Sequence, residues 1–382
     1  MGGLPVGRRG ARVIRSAECF TLAYPLIRKV LHSPPMPMKF SRSSLVAVTF
    51  AAAFFFAGCD GKNSGASSGS GKKKLAYVTN GVDPFWNTAA AGVRAAEKKF
   101  GVECQVLMPP KGIVDQKRMI EGLIARGVDG VAISPIDAKN QVDLINDAAA
   151  RFPVITHDSD APDSKRLCFV GMDNYKAGRA AGKLVKTALP QGGKVMIFVG
   201  RLEQLNSQQR RQGVIDELLD RPPQTGATMN VDPNGAPLAG AKFTVLDTRT
   251  DNFDYARAKA NAQDAMASVP DLACMIGLFA YNAPQCMEAA KEAGKIRSMK
   301  IVSFDEQDAV LQGIADGTVA GTISQQPYYY GFESVRILAG LANGDKSVLP
   351  PGGFLEVPIV EVTKTNVEAF RVELKKMQEA GK

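Results

Sequence analysis

The chain has 382 residues, 45% of them hydrophobic, and a formal charge of +9. That balance would suggest nucleic acid or an anionic membrane as partner, but its distribution excludes both as partners of the folded body. Residues 1–58 hold eight Lys/Arg against Glu18 alone, whereas from Leu75 onward 35 basic residues face 36 acidic ones.

Residues 1 to about 35 are Arg-rich, without helical or strand periodicity, and are set aside from fold reasoning; the reading favours initiation at Met36 or Met38. Leu45 to Gly58 (LVAVTFAAAFFFAG) then form an apolar run preceded by Lys39 and Arg42. Its 14 residues would span roughly 21 Å as a helix, short of a hydrocarbon core of about 30 Å. The pattern is therefore that of a secretory signal rather than a membrane span. Its exit, Phe56-Ala57-Gly58-Cys59, resembles the bacterial lipobox, with Phe56 where such motifs usually carry Leu. That resemblance implies lipidation of Cys59, which becomes the new N-terminus. The Gly/Ser-rich stretch 59–74 has almost nothing to bury, and reads as a flexible tether reaching roughly 20 Å.

From Leu75, short β-rich runs alternate with amphipathic ones. Strands are expected at 75–80, 104–108, 130–134, 153–158, 167–171, 194–199, 242–247, 273–279, 300–305, 320–325 and 358–362. Several are continuous apolar runs, as in parallel strands buried on both faces. Helices are expected at 84–100, 115–127, 138–151, 174–189, 207–220, 254–268, 281–293, 306–316 and 327–342. In the first, Phe85, Ala89, Val93, Ala96 and Phe100 share one face, and Gly101 follows as a stop. Strand-helix alternation implies right-handed βαβ units in doubly wound, mainly parallel sheets. So many strands fit two sheets in two lobes better than one.

Residue chemistry narrows the function. Cys104, Cys168, Cys274 and Cys286 lie in apolar surroundings and read as single buried thiols. Of the two histidines only His157 lies in the globular part, so a zinc site or a Ser-His-Asp triad would rest on it alone. Gly178-Arg-Ala-Ala-Gly182-Lys183 is too short for a phosphate loop. In open parallel sheets ligands bind beyond the carboxyl ends of the strands. Here those ends carry Asp83-Pro84-Phe85-Trp86, His157-Asp158-Ser159-Asp160, Asn206 with Arg210, Asp251-Asn252-Phe253, Phe279 with Tyr281 and Asn282, Asp305, and Gln325-Gln326. Planar amide, carboxylate and guanidinium groups pair with vicinal hydroxyls, and aromatic rings cover apolar C–H faces. The mixture suits a sugar.

In this order and spacing, DPFW, GLIARGVDGVAISPID (122–137), PVITHD, the Arg210–Val214 turn, IVSFDEQDAVLQGI (301–314) and AGTISQQP resemble the type I periplasmic solute-binding proteins, nearest the ribose-binding branch. The resemblance covers Leu75 to about Lys364. It implies two Rossmann-like α/β lobes joined by a three-crossing hinge near 173, 326 and 355. The N-lobe would hold 75–173 plus 327–354, and the C-lobe 174–326 plus 355–382. It implies a monomeric, lipid-anchored extracytoplasmic receptor, with no catalytic residue, metal or cofactor. Such a receptor captures a monosaccharide or polyol and passes it to an ABC permease. Asp83, Phe85, Trp86, Asp158, Arg210, Phe253, Asn282, Asp305 and Gln325 would form the pocket. Two departures alter it: Asp83 stands where the branch usually has Asn, and Ser159 where it usually has Arg. Ribose is therefore not carried over, and a cationic solute stays open. A sugar-sensing receptor is the alternative, and a carbohydrate-active enzyme using Asp158 and Asp305 as acid and base is the third reading. A lac-repressor-type regulator would need a helix-turn-helix where this chain has the signal and tether.

Overall fold

A computed structural model describes residues 71–224 and 229–381; the apolar run and Cys59 lie outside them. The first elements are β1 (Lys74–Val78), α1 (Pro84–Phe100), β2 (Glu103–Leu107), α2 (Ile113–Arg126), β3 (Gly130–Ile133), α3 (Val142–Ala149), β4 (Val154–His157) and β5 (Phe169–Gly171). Then come α4 (Asn174–Ala188), β6 (Gly193–Val199), α5 (Leu205–Leu218), β7 (Leu238–Ala239), β8 (Phe243–Thr250), α6 (Tyr255–Ser268), β9 (Leu272–Gly277), α7 (Asn282–Glu292), β10 (Lys300–Phe304), α8 (Asp308–Asp316) and β11 (Gly321–Ser324). The chain ends with α9 (Pro327–Ala342), β12 (Phe354–Glu356), β13 (Val360–Val362) and α10 (Val367–Ala380).

These strands build two sheets, ordered β12-β5-β4-β3-β1-β2 and β13-β11-β10-β9-β6-β8-β7. The first is parallel throughout; the second is parallel with antiparallel edges at β13 and β7. Both faces of each sheet are covered, which explains the unbroken apolar strands. In the first, Ala76, Val78, Val131 and Ile133 pack with Ile120, Leu123 and Ile145. Their neighbours Leu75, Tyr77, Ala132 and Ile155 pack on the other face with Val93, Ala96 and Leu338. Fully burying such a side chain contributes about 1.5–3 kcal/mol.

Local signals fix the helices. Asp83 caps α1 by accepting from Phe85 N at 2.8 Å, Pro84 fills the first turn, and Gly101 closes it at φ 67°. Helices α1 and α9 cross so closely that a Cβ on Gly92 would overlap the Tyr328 carbonyl, and one on Gly331 the Ala89 carbonyl. The second lobe repeats this with Gly178 of α4 against the Arg210 carbonyl of α5. That contact accounts for Gly178, and the approach of the Glu217 side chain accounts for Gly182.

The chain passes between the sheets after β5, after β11 and after β12. The third passage falls at 357–359 rather than near 355, because Phe354–Glu356 adds as an edge strand beside Phe169–Gly171. The described residues all fall within one compact unit. Helix α10 helps: Arg94 Nε donates to the Gly381 carbonyl at 2.6 Å, joining the end of the chain to α1. Cys104, Cys168, Cys274 and Cys286 are free and buried.

Candidate functional site

The carboxyl ends of both sheets face a cavity of about 290 Å³. It lies near the lower end of the range of about 300–1,000 Å³ usual for ligand pockets. Eight of the nine expected residues line it: Asp83, Phe85, Trp86, Asp158, Arg210, Phe253, Asp305 and Gln325. Asn282 does not. Its carbonyl accepts from Phe279 N at 3.0 Å and its amide donates to Asp251 at 2.8 Å, so it braces the loop behind the wall.

Arg210 is the centre of the site. It is 1% exposed, and donates from Nε to Asn174 at 2.9 Å, from Nη1 to the Leu278 carbonyl at 3.0 Å and from Nη2 to Gln325 Oε1 at 2.9 Å. Its guanidinium lies over the Phe279 and Phe304 rings, at 5.5 and 5.1 Å. Asp158 of the opposite lobe stands 3.8 Å from Nη2, and its other oxygen accepts from Ser134 Oγ at 2.8 Å and Asn80 at 3.1 Å. Gln325 donates back to Asp305 Oδ1 at 2.7 Å. One buried cation thus organises groups from both lobes and from a crossing segment.

Burial raises the carboxyls of Asp158 and Asp305, with Arg210 opposing the shift in each. Burial also lifts Asp83 and takes Asp251 to about 6. Raised carboxyls in a cleft can exchange hydrogen bonds with hydroxyl groups in either direction. The backbone is strained at the same places: Asp158, Asn252, Phe253 and Asp305 have φ between 57° and 70°.

Asp83 is already occupied. Its Oδ1 caps α1, and its Oδ2 accepts from Tyr255 OH at 2.6 Å, a bond between the lobes. His157 lies in the core, stacked on Tyr77 at 3.9 Å, with burial taking it down to about 3. Among the described residues no His/Cys/Asp/Glu group could hold a metal ion.

Asn206, Asn252, Phe279 and Tyr281, which lie at strand ends outside the expected pocket set, all line the cavity. Asn80, Lys111, Arg201 and Tyr255 line it as well and were not expected from sequence. Asn80 and Arg201 follow β1 and β6 by two residues each, so the strand-end rule reaches them. Arg201 lies over the Phe253 ring at 5.3 Å and restores a cation to the cleft that has Ser159 instead of Arg.

Two α/β lobes closing on a small cavity lined by aromatic, amide and charged side chains define a binding protein that takes a solute between its lobes. A family model described as periplasmic binding protein domain matches residues 76–346, and the chain belongs to that family. It is similar to a D-ribose/D-allose-binding protein of Pseudomonas aeruginosa, 25% identical over 76% of this chain and 89% of the relative. A ribose import binding protein of Bacillus subtilis is 25% identical over 73% of this chain and 86% of the relative. Among solved structures, an ABC transporter solute-binding protein of Burkholderia graminis in complex with D-arabinose superposes with a TM-score of 0.68. It is 25% identical, covering 77% of this chain and 96% of its own.

Proposed function

We propose that the protein is an extracytoplasmic receptor that captures a monosaccharide or related polyol between its lobes and delivers it to an ABC-type importer. The observation that carries this is the lining of the cleft: a fixed guanidinium, carboxyls and amides for hydroxyls, with Phe85, Trp86, Phe253 and Phe279 for apolar ring faces. The relatives named for ribose, allose and arabinose support the same solute class. The protein converts nothing and needs no cofactor; binding shifts the population toward closed lobes. It acts as a monomer, held to the membrane by lipid on Cys59.

The test is calorimetry with D-ribose, D-allose and D-arabinose, beside the emission of Trp86, the only tryptophan. We expect micromolar binding by at least one sugar, an emission change, and loss of both in Arg210→Ala. At 100 times its Kd the ligand should add about 2.7 kcal/mol of stability. No response to any monosaccharide or polyol, or turnover of a chromogenic glycoside, would overturn the reading.

A further inference from the structure

Behind the hinge lies a second cavity, of about 330 Å³. Thr88 of α1 and Tyr328 of α9 wall it on one side, Glu306 and Ser324 on the other, and α10, which touches both sides, closes it, with Gln326 of the second crossing among its lining residues. The two cavities stand back to back. Asp305 and Gln325 line the front, while their chain neighbours Glu306 and Gln326 line the rear.

The rear cavity has a distinct chemistry. Phe370, Leu374 and Met377 give it an apolar wall. Glu306 is only 8% exposed; Ser324 Oγ donates to its Oε2 at 2.9 Å, and among the described residues no donor reaches its other oxygen. No Lys, Arg or His belongs to the lining, and Lys376, ion-paired with Glu373 at 2.7 Å, stands outside it. A buried carboxyl without a cation, beside an aromatic ring and an apolar wall, selects a ligand that is both positive and apolar. Burial and the neighbouring Asp305 raise the Glu306 carboxyl, and an ammonium group beside it would reverse that shift.

We propose that this rear cavity is a second binding site, for a small organic ammonium ion, and that its occupancy favours the closed lobes. The coupling follows from position. The cavity lies on the far side of the crossings from the cleft, so lobes swinging apart at the front move together at the rear. An occupant that fills the rear cavity in the closed arrangement is crowded on opening, and so biases the equilibrium toward closure. Neither half of the proposal depends on which solute the front cleft takes.

The probe is cyclohexylammonium, with cyclohexanol as its neutral counterpart, titrated by calorimetry into the sugar-free protein. Cyclohexylammonium should bind about tenfold or more tightly than cyclohexanol, and lose about tenfold in Glu306→Gln. Ala369→Trp, an exposed substitution at the rim, should block it without disturbing the fold. Small-angle scattering should show a smaller radius of gyration with cyclohexylammonium than without. Equal binding of the alcohol, or unaltered binding in both variants, would overturn the site. Binding with no change in radius would overturn the coupling.

Discussion

Asp305 concentrates the tension between stability and binding at the scale of one residue. It is buried in the left-handed region at φ 70°, with its carboxyl raised by burial and flanked by Asp158 and Glu306. Asn tolerates that backbone and carries no charge. Asp305→Asn should therefore raise the unfolding free energy of the free protein at pH 8 by about 1 kcal/mol, and its thermal midpoint with it. It should also weaken sugar binding about tenfold to a hundredfold through the lost charged acceptor; calorimetry beside a melting curve checks both. His157 allows a pH prediction with a definite sign. Its folded value, about 3, lies below its ordinary 6.5, so its stabilising contribution is full above pH 6.5 and is lost as pH falls toward 3. Between pH 6.5 and 5 that loss is about 2 kcal/mol. The raised carboxyls of Asp251, Asp305 and Glu306 act in the opposite direction over the same range, so total stability conceals the effect. Comparison with His157→Phe, which keeps a ring against Tyr77, exposes it. The variant should lose less stability than the wild type from pH 7 to 5 in denaturant melts.

Among elements, the helix pairs set the lobes' dimensions. Gly331 places α9 directly on α1, and the added methyl of Gly331→Ala would meet backbone, which cannot rotate away. A loss of about 1–3 kcal/mol is expected in urea melts, whereas Gly344→Ala, with open space around it, should cost less, through its φ of 81° alone. Elements with strong periodicity were readable from sequence: α1 shows its apolar face, cap and stop in the residues alone, and the buried strands show theirs as apolar runs. Two elements were not. β12 is a three-residue edge strand with mostly exposed side chains, and β7 has two residues, so neither leaves an alternating pattern. α10 was legible but not assigned: Val367, Phe370, Leu374 and Met377 recur at steps of three or four along it. The pocket was legible where the strand-end rule met a polar or aromatic residue. Tyr255 escaped because it begins α6 rather than ending a strand, and its role is set by Asp83 across the cleft. Asn282 was assigned in error because sequence does not say which of Phe279, Tyr281 and Asn282 faces inward.

For the whole molecule the relevant quantity is the balance between open and closed lobes, and the Asp83–Tyr255 bond bears on it directly. The bond joins the lobes at 2.6 Å, and the Tyr255 ring stacks on Tyr281 at 4.9 Å within its own lobe. Tyr255→Phe keeps the stack and removes only the bond, which exists when the lobes are closed. A hydrogen bond to a charged acceptor is worth about 1.5–3 kcal/mol, so the closed population and the apparent sugar affinity should both fall about tenfold. The melting midpoint of the sugar-free protein should change little, since each lobe keeps its core. Asp83→Asn keeps an acceptor for Phe85 N and can donate from its amide to the Tyr255 oxygen, so it reverses that bond and removes the charge. A double-mutant cycle separates these effects. If the bond acts in closure, adding Asp83→Asn to Tyr255→Phe should cost no more affinity than the tyrosine change alone, apart from the cap. Additive losses would instead assign Asp83 a direct contact with the sugar. Dissociation rates followed through Trp86 should rise in step with the lost affinity, because an interaction formed only after closure slows escape rather than capture.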